Sequence, residues 1–197
     1  EDAIVACTFG DASAIYASAL TGVEAARYGH RRGNPLPVLL VCEDNGLGIS
    51  VDTPKRWIRD SFSGHPHLRY VEAEGSMVDI WAAVEEAVRT CRETLAPVFL
   101  RLVTVRLWGH AGSDVELAYR SALEIAETEA QDPLLDNART LVEHGVATPS
   151  ELRELWRAVR ERVYAAAEEA ATRPHLDSAA RVMAPLAPWD DDVVRAA

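Results

Sequence analysis

Asp11 and Asn45 are the two residues whose types and positions first indicate chemistry. Each follows an apolar run and precedes small residues or glycines, which let the backbone approach a ligand closely. Their side-chain oxygens, with the backbone carbonyl of Leu47, form a set of hard donors that suits Mg²⁺. The turn Gly10–Ser13 opens a helix, where backbone N–H groups bind phosphate, but a carboxylate there would repel it. A divalent cation between the carboxylate and the phosphate removes this conflict, so the residues predict a Mg²⁺ and phosphate site.

Asp11 taken alone has a simpler interpretation. Aspartate near the start of a helix is more often an N-cap than a metal ligand, and either Asp11 or Ser13 could cap the helix that follows. The pair Asp11 and Asn45 is more specific, because one strand–helix–strand crossover separates the two residues in the sequence. Adjacent parallel strands would then place both side chains next to each other.

The elements that must position these residues alternate between strand and helix. Helices are predicted after residue 11 and at 77–90, where apolar residues recur at helical spacing. The segment between Asn45 and the third strand is predicted to be a loop. Buried strands are predicted at 3–9, 38–42, 68–71 and 98–105. This alternation predicts an α/β fold, a doubly wound parallel sheet with helices on both faces, whose strand ends share one ligand-binding edge.

Gly109 and His110 follow the last predicted strand, so they should reach the same edge of the sheet. An imidazole there can donate a hydrogen bond to a phosphate oxygen or move a proton near neutral pH. The alternative for His110 is an ordinary histidine of a surface loop.

Composition excludes several classes of function. The formal net charge of −11 over 197 residues disfavours binding to a nucleic-acid backbone. No apolar run approaches the roughly 18 residues of a membrane span, so we expect no membrane partner. Cys7, Cys42 and Cys91 lack metal-ligand spacing. Cys7 and Cys42 are predicted to lie in buried strands, as thiols of a protein from the reducing cytoplasm.

The chain is predicted to comprise a diphosphate-anchoring domain at 1–130 and a helical extension at 131–197 packed on it. Gly145 is a candidate for ending the first helix of the extension. Thr148, Pro149 and Glu151 predict a capping box at the start of the next helix. An apolar face of that helix is expected to pack against other elements: Leu152, Leu155, Trp156, Val159 and Val163.

Two motifs resemble a known family. "GDAS" followed by "CEDNGLGIS" is similar to the thiamin diphosphate motif, which begins Gly-Asp-Gly and ends in one or two asparagines. "VRLWGHAGSDVELAYRS" resembles the α subunit of the decarboxylating component of 2-oxoacid dehydrogenases, especially the branched-chain type. The resemblance continues to about residue 188 and begins at the motif. It therefore implies the C-terminal cofactor-binding part of such a subunit, without the part upstream.

The resemblance implies thiamin diphosphate and Mg²⁺ as cofactors. Asp11, Asn45 and the carbonyl of Leu47 match the magnesium ligands, and Gly10–Ser13 (Gly10, Asp11, Ala12, Ser13) matches the turn beside the diphosphate. His110 matches a histidine that contacts the diphosphate and takes part in acyl transfer to lipoyl. The implied reaction is oxidative decarboxylation of a 2-oxo acid, with little turnover in the absence of the upstream part and a β partner.

The resemblance also implies partners, namely a β subunit or domain and a lipoyl acyltransferase core, in a dimer or heterotetramer. Ala12 and Asp44 depart from the motif, since they stand where a glycine and the first asparagine are usual. Arg106, Tyr119 and Arg120 fall in the family's loop, where structural ion pairs compete with substrate roles. The alternatives are another thiamin diphosphate enzyme, such as acetoin dehydrogenase, and a catalytically silent fragment that acts in subunit assembly.

Overall fold

The computed structural model describes residues 3–184. The chain forms two compact units, Glu1–His144 and Gly145–Ala197, which divide between His144 and Gly145. This division lies C-terminal to the predicted domain boundary at 130/131, and the proposal that the second unit packs on the first stays a prediction. Among the described residues, no helix is both long and apolar enough to cross a membrane.

A four-stranded parallel sheet forms the centre of the first unit, in the strand order β1-β2-β6-β5. A two-stranded antiparallel hairpin, β3 with β4, lies outside this sheet. The strands are β1 (Val5–Gly10), β2 (Val38–Asp44), β3 (Leu47–Gly48), β4 (Val51–Asp52), β5 (Arg69–Ala73) and β6 (Val98–Val103). β2 and β6 are central in the sheet, which accounts for their nearly continuous apolar sequences.

Helices cover both faces of the sheet, as the sequence predicted. Residues of α1 and α2 join one core cluster around Phe99, and residues of α3 join the other around Leu100. Neighbouring side chains of β6 point to opposite faces, so the two clusters share a strand without touching the same side chain. The helices are α1 (Ala17–Arg31), α2 (Trp57–Phe62), α3 (Met77–Thr94), α4 (Ala122–Glu129), α5 (Pro133–Glu143), α6 (Pro149–Ala171) and α7 (Ala179–Met183).

The segment between Asn45 and the third strand is more ordered than the predicted loop. It contains the β3–β4 hairpin and α2, whose side chains Ile58 and Phe62 are buried. Phe62 stacks on Phe99 with 4.3 Å between ring centroids. Only two core side chains define the short helix, which is too few for a helical pattern to be recognised in the sequence.

The predicted cap of α1 is wrong. The helix begins after Tyr16, whose side chain makes no capping hydrogen bond, and residues Ser13–Ile15 form a short 3₁₀ turn before it. Neither Asp11 nor Ser13 occupies the N-cap position. Asp11 is instead engaged with a different part of the chain, so its carboxylate is not used to start the helix.

The predicted capping box of α6 is confirmed. The Thr148 hydroxyl accepts a hydrogen bond from the N–H of Glu151 at 3.3 Å, and the Glu151 carboxylate accepts one from the N–H of Thr148 at 2.7 Å. Gly145 follows the C-cap of α5 with φ of +67°, the left-handed geometry expected after a helix end. The predicted packing of the apolar face of α6 stays a prediction, and Leu155, Trp156, Val159 and Val163 are exposed.

The cysteines divide by position in the sheet and helices. Cys42 is buried as predicted, and Cys91 is buried on α3. The prediction for Cys7 is wrong, because its strand β1 lies at the edge of the sheet and Cys7 is exposed.

Candidate cofactor-binding site

The carboxyl ends of β1, β2 and β6 border one cleft of about 490 Å³. The register places Gly10 opposite Glu43 and Asp44 opposite Val103, so the three strands end at nearly the same level. All seven residues predicted for the site line this cleft, although they come from three separate segments. The lining residues are Gly10, Asp11, Ala12, Ser13, Tyr16, Glu43, Asn45, Leu47, Gly48, Ile49, Thr104, Arg106 and His110.

Asp11 is a buried carboxylate at the wall of the cleft, with only 2% of its surface exposed. Its backbone N–H donates to the carbonyl of Glu43 at 3.2 Å, which extends the β1–β2 pairing by one residue. The hydroxyl of Thr53 donates to Asp11 Oδ2 at 2.7 Å. The other oxygen, Oδ1, has no hydrogen-bond partner among residues 3–184. A buried carboxylate with one uncommitted oxygen beside a cleft is suited to binding a cation.

Asn45 begins a tight loop directly after β2. Its Oδ1 accepts a hydrogen bond from the N–H of Leu47 at 2.9 Å, which folds the loop back on its own side chain. Gly46 has φ of +77°, a conformation that side chains disfavour. The N–H of Thr53 donates to the carbonyl of Gly46 at 2.9 Å and closes the loop from its far end. The loop therefore presents Asn45 and Leu47 to the cleft in a fixed arrangement.

Ala12 has a counterpart that makes room for its methyl group. A Cβ added to Gly48 would lie 3.0 Å from the Cβ of Ala12, so a side chain at both positions would be too close. Gly48 thus accommodates the methyl group that this chain carries in place of the usual glycine. The departure at position 12 is compatible with the backbone of the turn.

Asp44 does not line the cleft. Its Oδ2 accepts a hydrogen bond from Arg101 Nε at 2.5 Å, and its Oδ1 accepts one from the N–H of Gly46 at 3.3 Å. Arg101 also pairs with Glu72 at 3.0 Å. Asp44 therefore replaces the usual asparagine with one half of an ion pair that supports the base of the loop.

His110 is exposed at the rim of the cleft, on a loop that Asp114 organises. The Asp114 Oδ2 atom accepts hydrogen bonds from the N–H of His110 at 2.7 Å and from the hydroxyl of Tyr119 at 2.8 Å. These two bonds hold the pKa of Asp114 below its usual value, and the bond from the His110 backbone has the larger effect. A Cβ on Gly109 would lie 2.8 Å from the carbonyl of Asp114, so glycine is required there.

Arg106 links the His110 loop to the Asn45 loop. Its two terminal nitrogens donate to the carbonyl of Ile49 at 2.6 Å and to the hydroxyl of Tyr119 at 2.8 Å. Arg120 bonds Glu116 at 2.9 Å and also contacts Thr128. Of the two interpretations open at the sequence level, these contacts favour structural roles for Tyr119 and Arg120. Arg106 combines a structural role with a place in the cleft wall.

Cys42, which directly precedes the lining residue Glu43, is not a candidate nucleophile. Burial, and then the neighbouring charges of Asp44 and Asp11, raise the pKa of the Cys42 thiol to about 12. A thiol with such a pKa stays protonated at neutral pH and is inert. The candidate groups for chemistry in the cleft therefore remain its oxygen donors and His110.

The donor set indicates which metal the site could hold. Among the described residues, no group of three or more histidine, cysteine or acidic side chains is arranged around a metal position. One carboxylate, one amide and one backbone carbonyl leave several coordination positions for water or phosphate oxygens. This is the pattern that Mg²⁺ uses with phosphate ligands.

The sequence did not identify Thr53 or Glu43 as site residues. Glu43 is the last residue of β2 to pair with β1, and it lines the cleft beside Asn45. Thr53 lies 42 positions after Asp11 in a segment without a periodic pattern. A charged residue at the carboxyl end of a buried strand was a usable signal for Glu43, whereas Thr53 offered none.

A model of the family described as "Dehydrogenase E1 component" matches residues 1–179 of the chain. The chain belongs to the dehydrogenase E1 component family. E1 dehydrogenases depend on thiamin diphosphate. In this E1 chain, the oxygen donors of the cleft and the turn after β1 fit that cofactor's diphosphate and a cation.

The E1 chain is similar to curated α subunits. The pyruvate dehydrogenase E1 component subunit alpha type II, mitochondrial, of Ascaris suum is 33% identical over 144 residues, covering 70% of this chain and 36% of the relative. The testis-specific mitochondrial form of the pyruvate dehydrogenase E1 component subunit alpha of Homo sapiens is 30% identical over 152 residues. This match covers 72% of this chain and 38% of the relative. The chain thus spans little more than a third of these relatives. They support a 2-oxoacid dehydrogenase E1 α assignment, but not the branched-chain type in particular.

Proposed function

We propose that the cleft anchors the diphosphate of Mg²⁺-thiamin diphosphate in the α part of a 2-oxoacid dehydrogenase decarboxylating component. The observation that carries this proposal is the meeting of Asp11, Asn45, Leu47 and His110 at one cleft of an E1 chain. Three segments distant in sequence contribute these residues. Their convergence at the carboxyl edge of a parallel sheet is the arrangement that ligand sites in open α/β folds use.

The chain's own residues would hold the cofactor as follows. Asp11 Oδ1, the side chain of Asn45 and the carbonyl of Leu47 would bind the Mg²⁺. The turn of Gly10, Ala12 and Ser13 would border the diphosphate oxygens. When bound, thiamin diphosphate supplies the electron sink for decarboxylation of a 2-oxo acid.

His110 is proposed to contact the diphosphate and to move a proton during acyl transfer to lipoyl. It is exposed at the rim of the cleft, where a lipoyl group from outside can reach it. Asp114 fixes the backbone of His110 rather than its ring. The imidazole therefore stays available for a ligand or a partner.

A β subunit or domain is proposed to cover the rim of this cleft. Ile49, which lines it, and Trp108, two residues from His110, are exposed, and Trp108 has 80% of its surface accessible. Exposed apolar residues next to a polar site are typical of a protein interface. The lipoyl acyltransferase core is the proposed recipient of the acyl group, within a dimer or heterotetramer.

The substrate is proposed to be a 2-oxo acid. The relatives named above are pyruvate dehydrogenase subunits, so pyruvate is the first acid to test, ahead of the branched-chain acids that the sequence resemblance indicated. Acetoin tests the alternative of an acetoin dehydrogenase. The alternative of a silent assembly domain was based partly on Ala12, and the space beside Gly48 weakens it.

Calorimetric titration of the assembled enzyme with thiamin diphosphate tests the proposal. We expect saturable binding with Mg²⁺ present and a loss of at least about 100-fold in affinity when EDTA removes the cation, because the phosphate then faces Asp11 directly. Turnover of pyruvate, branched-chain 2-oxo acids and acetoin by the same preparation identifies the substrate. Absence of cofactor binding in the complete assembly would favour the silent domain.

Replacing His110 with alanine should separate cofactor binding from acyl transfer. We expect thiamin diphosphate affinity to fall modestly, by about tenfold, because one hydrogen bond to a charged phosphate is lost. Reductive acylation of a lipoyl domain should fall by about 10²–10³-fold, since a positioned acid–base group is removed. His144→Ala, which changes a helix-end histidine bonded to Thr140, is the matched control. Unchanged acylation in His110→Ala would remove the assigned role.

A further inference from the structure

Thr53 connects the two halves of the proposed cation site. Its hydroxyl donates to Asp11 Oδ2 at 2.7 Å, and its backbone N–H donates to the carbonyl of Gly46 at 2.9 Å. Asp11 follows β1, whereas Gly46 lies in the loop after β2 that also carries Asn45 and Leu47. Thr53, which directly follows the β3–β4 hairpin, therefore joins the Asp11 carboxylate to this loop.

We propose that Thr53 is a positioning residue that orients the Asp11 carboxylate toward the cation, an inference that rests on the proposed function. The hydroxyl holds Oδ2, so Oδ1 is the oxygen left for the metal. A terminal carboxylate torsion is broad and nearly two-fold, and packing alone does not select one orientation. The hydrogen bond selects it before the cation arrives, which lowers the cost of ordering the ligand upon binding.

The role of Thr53 differs from that of a general structural contact. The hydroxyl is the only side-chain partner of Asp11 among the described residues, and it is neutral, so it leaves the negative charge of Asp11 uncompensated. If an arginine took the place of Thr53, its positive charge would compete with Mg²⁺ for the negative charge of Asp11. A neutral donor orients the ligand and preserves its attraction for Mg²⁺.

Thr53→Val tests the inference, because valine keeps the β-branched shape and the backbone hydrogen bond but removes the hydroxyl. In the assembled enzyme with saturating thiamin diphosphate, we expect the Mg²⁺ concentration for half-maximal binding, measured by calorimetry, to rise about 10–100-fold. Thr53→Ala should give the same rise if valine does not fit. Thr53→Ser, which restores the hydroxyl, should return the value to within about threefold of the parent.

The matched control is Thr94→Val. The Thr94 hydroxyl bonds the carbonyl of Thr90 at 2.6 Å at the end of α3, and this change should leave Mg²⁺ binding unaltered. If Thr53→Val and Thr53→Ala lower the unfolding temperature but bind Mg²⁺ like the parent, Thr53 is merely structural and the inference is overturned. Asp11→Asn separates a failure of the Thr53 inference from a failure of the proposed cation site. Loss of binding in Asp11→Asn alone refutes only the role of Thr53, whereas unchanged binding refutes the cation site itself.

Discussion

Replacing Asp11 with asparagine is expected to weaken Mg²⁺-dependent binding of thiamin diphosphate by at least about 100-fold, or roughly 2.7 kcal/mol. Asparagine keeps the size of the side chain and can still accept the hydrogen bond from Thr53. It removes the negative charge of Asp11, which is buried. A charge interaction with a divalent cation is stronger at a buried position than in water. Calorimetry of the assembled variant measures the loss.

The same substitution should not destabilise the cofactor-free protein. Asp11 is 2% exposed, and its side-chain partner among the described residues is the neutral hydroxyl of Thr53. Burying a charge without a compensating one costs free energy, and asparagine avoids that cost. We therefore expect the unfolding temperature of the cofactor-free variant to be equal to or above that of the parent.

Asp60→Asn provides the control for this prediction. Asp60 is an exposed carboxylate of α2 that pairs with Arg56, the residue just before the helix, and neither residue lines the cleft. The change should therefore alter neither binding nor stability measurably. Asp11→Asn would contradict the proposal if it bound cofactor normally. It would equally contradict it if the loss of binding matched a loss of folding, because Asp11 would then be structural.

The meeting of the predicted site residues at one cleft was predictable, because local patterns place each of them after a strand of the sheet. An apolar run such as 38–42 must be buried, and the polar residues that follow it must leave the sheet at its carboxyl end. Once the fold is a parallel sheet, topology brings Asp11, Asn45 and His110 to one edge without any knowledge of side-chain contacts. The capping box at Thr148 was predictable for the same reason, since its partners lie three residues apart.

The contacts that support the site were not predictable, because they join residues distant in sequence. Arg101 meets Asp44 across 57 positions, and Thr53 meets Asp11 across 42. Polar residues in such segments are normally assigned to solvent, and no periodicity marks them otherwise. The wrong N-cap at Asp11 has the same origin, because a distant hydroxyl engages the carboxylate that local sequence assigned to the helix.

Replacing Arg101 with methionine is expected to cost about 3–5 kcal/mol of unfolding free energy, the largest stability effect that we predict. The side chains of Arg101 and Asp44 are 14% and 10% exposed, and their atoms Nε and Oδ2 are 2.5 Å apart. Arg101 also pairs with Glu72. Methionine fills similar space but leaves two carboxylates without this cation, and Asp44 then lacks its ion-pair partner in a buried position.

Denaturant unfolding of single and double variants measures this cost. Combining Arg101→Met with Asp44→Asn should recover part of the lost stability, because the unpaired charge at position 44 is removed. This double-mutant cycle yields the coupling energy of the pair directly.

Arg89→Met is the control, since Arg89 and Glu93 form a pair with side chains 59% and 61% exposed. We expect Arg89→Met to cost at most about 0.5 kcal/mol of unfolding free energy. Equal losses for Arg101→Met and Arg89→Met would mean that the Asp44 ion pair does not stabilise the base of the loop. The aspartate at position 44, where the family motif usually has asparagine, would then be tolerated without any stabilisation from Arg101.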